Sequence, residues 1–297
     1  MSKAKLLLGP MRLPFLILAP ACVIVGLGTA IWSKGSVNPW HVVLAFIGGL
    51  CAHIGVNAFN EYFDFKSGVD SRTVRTPFSG GSGTLQAHPE LAPQALATAI
   101  IAAAIVGIIG IYFLTVWELA LLPLGLLGLL VVVVYTPWFT LNPWLCLVAP
   151  GLGFGTLMVM GTHFVLTGEY SWIAFVSSLV PFFLVNDLLL LNQFPDVEAD
   201  RSVGRRHFPI LIGRRKSSLI YGAFLAAAYL SIVIGVVLGL LPWTALLGLL
   251  TLPLAAQAAL GAYRHADDLP KLGPAQGQNV LINILTPVLL AVGLLLG

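Results

Sequence analysis

Residues 93–138 read PQALATAIIAAAIVGIIGIYFLTVWELALLPLGLLGLLVVVVYTPW. A helix that crosses a membrane needs about 20 mainly apolar residues. The stretch is long enough for two such helices, Pro93–Val116 and Leu119–Trp138. Its apolar residues are continuous and do not alternate with polar ones, which disfavours a β-barrel. The stretch therefore predicts a pair of membrane-spanning helices.

The same composition extends along the whole chain of 297 residues, of which 58% are hydrophobic and 9% are charged. A soluble domain carries about 25% charged residues. Seven further apolar segments reach spanning length: Leu13–Trp32, Trp40–Tyr62, Pro143–Leu166, Trp172–Phe194, Ser217–Leu240, Pro242–Ala262 and Gln278–Gly297. The sequence predicts an all-α polytopic membrane protein, a bundle of nine transmembrane helices in which residues 1–297 form one membrane-embedded domain.

The positive charges are distributed unevenly between the two predicted faces of the membrane. Of the 15 Lys and Arg residues, 14 lie on the face that holds the N-terminus, and Lys34 is the exception. Lys and Arg accumulate on the cytoplasmic side of membrane proteins. We therefore expect an integral protein of the cell inner membrane, with the N-terminus and the long loops 63–92 and 195–216 in the cytoplasm and the C-terminus outside. We expect these two loops to cap an active site.

Polar residues concentrate at the cytoplasmic ends of the second and sixth predicted spans. The first group comprises His53, Asn57, Asn60, Glu61 and Asp64, with Asp70 in the loop that follows, and the second comprises Asn192, Asp196 and Asp200. Spacings of three and four residues place each group on one face of a helix. A polar stripe within lipid has to face the bundle interior or a water-filled cavity. Because four spans separate the two groups, they share one side of the membrane.

Apart from His53, both groups consist of carboxylate and amide side chains, whose oxygens are the ligands that Mg²⁺ prefers, and Mg²⁺ commonly joins carboxylates to the phosphates of a substrate. Arginines near both groups add cations that suit phosphate oxygens. At the mouth of an apolar bundle, this combination suits an amphiphile with a diphosphate head and a hydrocarbon tail. Tyr135, at the end of the fourth predicted span on the same face, is a further candidate for lining the site.

A cation-coupled transporter or a cation channel is the alternative from another functional class, because acidic stripes also bind permeating ions. Transporter sites lie near the membrane midplane, between structural repeats. Here both acidic groups are predicted at one membrane face, which favours an enzyme.

The first motif reads NEYFDFKSGVD at residues 60–70, and the second reads NQFPDVEAD at 192–200, followed by GRR at 204–206. Together they resemble the paired aspartate-rich motifs of the UbiA-type intramembrane prenyltransferases, and the resemblance covers nearly the whole chain in motif order and span number. Within that superfamily, GTHFVLTG at 161–168 and LIG at 211–213 are most similar to the 1,4-dihydroxy-2-naphthoate polyprenyltransferases of menaquinone synthesis.

The resemblance implies transfer of a polyprenyl group from a prenyl diphosphate to an aromatic acceptor, with Mg²⁺ as cofactor. It implies Asp64, Asp196 and Asp200 as catalytic residues, with Asp200 or the released diphosphate as the base. The implied metal ligands are Asn60, Asp64, Asp70, Asn192, Asp196 and Asp200. The substrate-binding candidates are Arg12, Asn57, Asn60, Arg72, Tyr135, Asn192, Arg205 and Arg206.

The chain departs from the family pattern at four positions. Glu61 stands where Asp is usual, Pro195 where the naphthoate enzymes often have Arg, Arg205 where Lys is usual, and His207 where Thr is usual. These departures bear on the acceptor, for which 4-hydroxybenzoate, homogentisate, a chlorin, haem and an isoprenoid glycerol phosphate remain alternatives. The predicted partners are the two substrates and the lipid bilayer, and we predict neither a nucleic acid nor a protein partner.

Overall fold

The computed structural model describes residues 8–73 and 75–297, and every regular element within them is a helix. The α-helices are α1 (Leu18–Lys34), α2 (Pro39–Ser67), α3 (Thr84–Ala87), α4 (Ala92–Trp117), α5 (Leu122–Val134), α6 (Pro143–Gly151), α7 (Met158–Thr167), α8 (Trp172–Ser202), α9 (Phe208–Ile212), α10 (Arg214–Val237), α11 (Leu252–Arg264) and α12 (Leu269–Leu296). Short 3₁₀-helices occupy Gly9–Met11, Leu13–Phe15, Pro89–Leu91, Glu118–Leu121, Phe139–Leu141 and Trp243–Thr251. A π-helical segment, Leu152–Leu157, joins α6 to α7.

The predicted class, an all-helical membrane protein, is confirmed, but the predicted count of nine spans is not. Within the described residues, seven helical stretches are long and apolar enough to cross a bilayer. The pair Gly9–Phe15 and Leu18–Lys34, bent by 55°, would make an eighth. One of the seven, Pro89–Val134, has 46 residues and takes in the predicted segment Pro93–Val116 and most of Leu119–Trp138.

The two motif-bearing helices extend beyond the predicted spans. Helix α2 continues past Tyr62 to Ser67, where Gly68 ends it with a φ of 74°. Helix α8 continues past Phe194 through Pro195 to Ser202. A proline within a helix removes one hydrogen-bond donor and does not always end it. The predicted loops 63–92 and 195–216 are therefore shorter than expected, and Asp196 and Asp200 lie on a helix.

The helices close into a bundle because the last packs against the first. Helix α12 lies along α1, α1 also packs on α7, α2 packs on α4, and α8 packs on α10. The largest core cluster contains Leu184, Leu191, Tyr221, Ile232 and Ile282, all fully or almost fully buried. The outer surface is also apolar, especially along α4 and α5. The bundle thus presents hydrocarbon to the lipid and keeps its buried polar side chains inside.

Helix α8 and the π-helical segment approach each other closely at Gly155. A Cβ atom at Gly155 would meet the backbone of Phe182 at less than the distance that two non-bonded atoms allow. Gly107 on α4 is a matched control, because a Cβ there would have nothing within 4 Å.

We expect Gly155→Ala to lower the free energy of unfolding by about 1–3 kcal/mol, the usual effect of overpacking. Gly107→Ala should leave it unchanged or raise it slightly, since alanine favours a helix. Thermal unfolding of both variants in the same detergent measures this difference. Equal stability of the two variants would contradict the close packing of α8 on Leu152–Leu157.

Candidate active site

A cavity of about 410 Å³ lies inside the bundle, between α2, α4, α5, α7 and α8. It follows α2 from Asp64 to Leu44, a separation of roughly 30 Å at the rise of an α-helix. One end is polar and the other is apolar. The apolar limb is lined by, among others, Leu44, Gly48, Ile109, Phe113, Leu124, Gly128, Met158 and Val165. The cavity is therefore long and amphiphilic.

Arg205 joins the two acidic motifs at the polar end. Its Nη2 donates a hydrogen bond to Oδ1 of Asp64 on α2, and its Nη1 donates to Oδ1 of Asp200 on α8 at 2.9 Å. Both carboxylates are almost fully buried. Burial alone would lower the pKa of the Arg205 guanidinium, but the Asp64 and Asp200 carboxylates raise it above its ordinary value. The guanidinium therefore stays charged and forms an ion pair with a carboxylate from each half of the chain, so its single positive charge is shared between the two.

Asp200 uses both of its carboxylate oxygens within the protein. Oδ1 accepts from Arg205, and Oδ2 lies 3.0 Å from Nε2 of the buried His207. The sequence analysis noted His207 as a departure from the family pattern and gave it no role. In the structure His207 lines the cavity and helps to fix the orientation of Asp200.

Asp70 lies beyond the end of α2 and also lines the cavity. Its Oδ2 accepts a hydrogen bond of 2.8 Å from Nε2 of Gln86. Burial raises the pKa of the Asp70 carboxyl, and the nearby Glu61 carboxylate raises it further. A cation close to Asp70 would favour its charged form, because an opposite charge lowers the pKa of a carboxyl group.

Two oxygens at the polar end have no hydrogen-bond donor among the described residues. They are Oδ1 of Asn192 and Oδ1 of Asp196, which lie one turn apart on α8 at the cavity wall. Buried polar atoms in proteins almost always have a partner, so unsatisfied ones call for an explanation. Both are hard oxygen donors of the kind that binds Mg²⁺. The site therefore fits a divalent cation.

The protein alone does not assemble a complete metal cage. Within residues 8–73 and 75–297, no three His, Cys, Asp or Glu side chains are grouped so that they could hold a metal ion. Mg²⁺ usually keeps several waters and shares its coordination with substrate phosphates. The donor set at the polar end agrees with that mode of binding, in which the substrate supplies part of the coordination.

The other predicted residues at the cavity are held by specific contacts. Asn60 Nδ2 donates to Thr136 Oγ1 at 3.3 Å, and Asn57 Nδ2 donates to the carbonyl of Met11 at 3.0 Å. Tyr135 also lines the cavity. Cys146 and Gln193, which the sequence analysis did not select as site residues, line the same wall and are joined by a 3.2 Å hydrogen bond.

Two predicted substrate-binding arginines lie away from the cavity wall. Arg72 is exposed, and its Nη1 donates to the carbonyl and to Oγ of Ser202, at 3.3 and 2.9 Å. Arg206 is exposed, and its backbone N–H donates to the carbonyl of Thr140 at 2.9 Å. The structure thus brings Arg12 and Arg205 to the cavity and leaves Arg72 and Arg206 outside its lining.

Glu61 is a functional candidate that the sequence analysis placed in the polar stripe without a role. Its side chain is fully buried and does not line the cavity. Oε1 accepts from Nε of Arg12 at 2.8 Å and from the backbone N–H of Ser82 at 2.6 Å, and Oε2 accepts from Oγ of Ser82 at 2.9 Å. Glu61 therefore ties the N-terminal segment that holds Arg12 and the glycine-rich loop of residues 79–83 to α2. The sequence carries no local signal for this role, because both partners are distant in the chain.

Comparison with solved structures places this architecture among known ones. The chain superposes with a TM-score of 0.72 on the apo structure of a UbiA homolog from Aeropyrum pernix K1, at 20% identity, covering 95% of this chain and 97% of that one. A UbiA homolog from Archaeoglobus fulgidus bound to GPP and Mg²⁺ superposes with a TM-score of 0.64, at 14% identity, covering 96% and 99% of the two chains.

Sequence comparison agrees with the structural likeness. The chain is 27% identical over 259 residues to 1,4-dihydroxy-2-naphthoate octaprenyltransferase of Bacillus subtilis (strain 168), covering 83% of this chain and 78% of that protein. The model of the UbiA prenyltransferase family matches residues 19–272. Because this match takes in both acidic motifs and most of the 297 residues, the chain belongs to the UbiA prenyltransferase family.

Proposed function

We propose that the protein transfers a polyprenyl group from a prenyl diphosphate to 1,4-dihydroxy-2-naphthoate, with Mg²⁺ as cofactor, in menaquinone biosynthesis. The observation that carries the proposal is the junction of the two acidic motifs through Arg205 at the polar end of a long apolar cavity. The similarity to the octaprenyltransferase of Bacillus subtilis supports the choice of acceptor.

The residues that would hold Mg²⁺ are Asn60, Asp64, Asp70, Asn192 and Asp196, all of which line the cavity. Asp200, the sixth ligand that the family resemblance implies, also lines it but has both carboxylate oxygens engaged with Arg205 and His207. The fit rests on their oxygen donors, and above all on the unsatisfied Oδ1 atoms of Asn192 and Asp196. When bound, the cation supplies positive charge that stabilises the departing diphosphate.

Among the described residues, Arg205 and Arg12 are the Lys and Arg side chains that line the polar end. A guanidinium binds phosphate oxygens in a bidentate manner and keeps its charge. We assign Arg205 to the diphosphate, where it would oppose the negative charge that grows on the leaving group as the allylic C–O bond breaks. The electron pair of that bond leaves with the diphosphate, and an electron-rich carbon of the acceptor ring then forms the new C–C bond.

The ring proton has to leave after this bond forms. Asp200, a candidate base from the family resemblance, has its oxygens engaged with Arg205 and His207. We therefore assign Asp200 to positioning Arg205, and we assign the released diphosphate as the proton acceptor. The apolar limb would hold the prenyl tail and exclude water, which would otherwise capture the allylic cation.

We propose nine membrane spans, with the N-terminus and the polar end of the cavity on the cytoplasmic side of the inner membrane. The 46-residue stretch Pro89–Val134 supports two of these spans, because Glu118 interrupts it with a φ of 56°. Ala102 on α4 and Val132 on α5 both lie within 3.6 Å of the Cβ position of Gly55. Residues on either side of Glu118 thus approach one point of α2, as they would in a helical hairpin. The concentration of Lys and Arg supports the orientation.

We also propose that residues 63–92 and 195–216 cap the polar end of a single domain. The hydrogen bonds from Arg72 to Ser202 support this role, because they link the first segment to the second across the site. The contact of Gly81 with Asp70 brings the glycine-rich loop to the same place.

The experiment that tests the function offers the purified protein in lipid a labelled prenyl diphosphate and either 1,4-dihydroxy-2-naphthoate or 4-hydroxybenzoate, with and without EDTA. We expect prenylation of the naphthoate that EDTA abolishes. Asp64→Asn and Asp196→Asn should each lower turnover roughly 100-fold or more, since each removes an anionic ligand of the cation that stabilises the leaving group.

Glu198→Gln is the matched control, because Glu198 lies on the same helix, is 73% exposed and pairs with Arg201. It should keep normal turnover. Transfer to 4-hydroxybenzoate alone would overturn the acceptor. Normal turnover in either aspartate variant, or absence of diphosphate release from folded protein with every acceptor, would overturn the assigned chemistry.

A second prediction concerns the apolar limb. Gly128 on α5 lines the cavity, and a Cβ there would have nothing within 4 Å. It lies seven residues before Tyr135, roughly 10 Å along the helix axis. We expect Gly128→Leu to impair transfer from octaprenyl diphosphate while sparing dimethylallyl diphosphate, because the new side chain would enter the path of a long tail.

Gly107→Leu is the control for that variant, since Gly107 has similar open space and does not line the cavity. The kcat/KM values of both variants with both donors measure the effect. An equal loss of kcat/KM in Gly128→Leu with the long and the short donor would show that the prenyl tail does not pass Gly128.

A further inference from the structure

A second cavity of about 390 Å³ lies beside the first, between the N-terminal helical turns and the loop that follows α2. Its lining is Leu8, Gly9, Arg12, Leu13, Pro14, Phe15, Thr76, Pro77, Phe78, Ser79, Gly81, Ser82 and Thr84. Arg12, Pro14, Phe15, Phe78, Ser79 and Gly81 also line the main cavity. The two cavities therefore meet around Arg12.

Arg12 presents its guanidinium in a fixed orientation at this junction. Its Nε donates to Oε1 of Glu61 at 2.8 Å. Among the described residues, the hydrogen bonds of Arg12 engage only this nitrogen of the side chain, so Nη1 and Nη2 are available to a ligand. The side chain is 24% exposed, whereas that of Glu61 is fully buried. Glu61 thus fixes the guanidinium through Nε, and the edge formed by Nη1 and Nη2 remains for a bidentate contact at the junction of the cavities.

Hydrogen bonds and close packing also fix the backbone around Arg12. Arg12 has a φ of 52°, an uncommon conformation for a residue other than glycine and one that often marks a functional position. The carbonyl of Met11 accepts a hydrogen bond from Asn57, which fixes the segment to α2. Gly9 lies directly against Thr84, with no room for a Cβ atom. The second cavity is therefore bounded by anchored segments on both sides.

The chemistry of the second cavity differs from that of the polar end of the first. Arg12 is the one charged side chain among the described residues that line it. Leu13, Pro14, Phe15, Pro77 and Phe78 provide apolar walls. A diphosphate requires several cations, and these apolar walls would not offer them. A flat aromatic ring with a single carboxylate matches both the walls and the guanidinium, which pairs with carboxylates in a bidentate manner.

We propose that the second cavity is the acceptor site, where a flat aromatic carboxylate binds through Nη1 and Nη2 of Arg12 and enters the main cavity from there. The proposal deepens the proposed function and rests on it for the identity of the acceptor. It assigns Arg12 to the acceptor rather than to the diphosphate, and it makes Glu61 a positioning residue that acts through Arg12.

The test uses two stable probes without any donor, 1-hydroxy-2-naphthoate and 1-naphthol, which differ by the carboxylate. Calorimetry on the protein in lipid should show tighter binding of the carboxylate probe. Arg12→Gln should weaken that probe roughly 10- to 100-fold, the effect of losing a charged hydrogen-bond partner, and should leave 1-naphthol unchanged. The Kd of Arg12→Gln for geranyl diphosphate with Mg²⁺ should also stay within about 3-fold of the wild-type value. That change is well below the effect of losing one hydrogen bond to a charged group.

Leu13→Trp is an independent variant, because Leu13 lines only the second cavity and is 48% exposed. It should weaken both aromatic probes and spare geranyl diphosphate. Leu141→Trp is its control, since Leu141 is 49% exposed and lines neither cavity. Glu61→Gln should weaken only the carboxylate probe, by less than Arg12→Gln, because it loosens the guanidinium without removing it.

Equal affinity of the wild-type protein for the two probes would overturn the proposal. So would a loss of geranyl diphosphate binding in Arg12→Gln as large as the loss of the carboxylate probe, which would place Arg12 at the diphosphate. These outcomes are distinct from failure of the proposed function, in which the probes bind as expected but folded protein transfers no prenyl group to any acceptor.

Discussion

The structure depends on the placement of positive charge between carboxylates that are buried in an apolar bundle. Asp64, Asp200 and Glu61 are each almost fully buried. An unpaired charge in such surroundings is costly, and removal of one partner from a buried pair is strongly destabilising. Arg205 forms ion pairs with Asp64 and Asp200, and Arg12 forms an ion pair with Glu61. Each guanidinium comes from a segment outside the helix whose carboxylate it neutralises, so the charges hold the connecting segments to the helices.

This constraint explains why the polar end of the cavity is built from distant parts of the chain. Arg205 follows α8 and reaches Asp64 on α2, while Arg12 precedes α1 and reaches Glu61 on α2. The apolar limb of the cavity needs no ion pairs of this kind, because hydrocarbon side chains pack without directional partners. The cavity therefore has one charged end, whose side chains are fixed by ion pairs, and one apolar end. These two ends suit a diphosphate head and a prenyl tail.

The sequence predicts the class of fold well, because continuous apolar segments and asymmetric positive charge are strong signals for a membrane bundle. It also predicts that Asn60, Asp64, Asn192 and Asp196 face a cavity, because helical spacing determines which side chains share a face. All four line the cavity in the structure.

Other features escape the sequence because they depend on tertiary contacts. Glu61 belongs by spacing to the polar stripe but bonds to Arg12 and Ser82, and no local pattern reveals that pairing. The predicted loop 195–216 begins at Pro195, yet the helix continues through this proline to Ser202. Arg72 is a residue type that commonly binds phosphate. Its hydrogen bonds to Ser202 instead join the segment after α2 to the end of α8. The number of spans depends on the path of the chain at Glu118, where a φ of 56° interrupts the helical backbone while the sequence on both sides stays apolar.

If the two acidic motifs form one cation site that diphosphate completes, a divalent cation should bind only when both motifs are intact. Binding of Mn²⁺, a paramagnetic substitute for Mg²⁺, to the protein in lipid with inorganic pyrophosphate can be followed by electron paramagnetic resonance. We expect pyrophosphate-dependent Mn²⁺ binding that is lost in Asp64→Asn and equally in Asp196→Asn, and that persists in Glu198→Gln. Binding that survives either aspartate substitution would show that the motifs act separately and do not form one site.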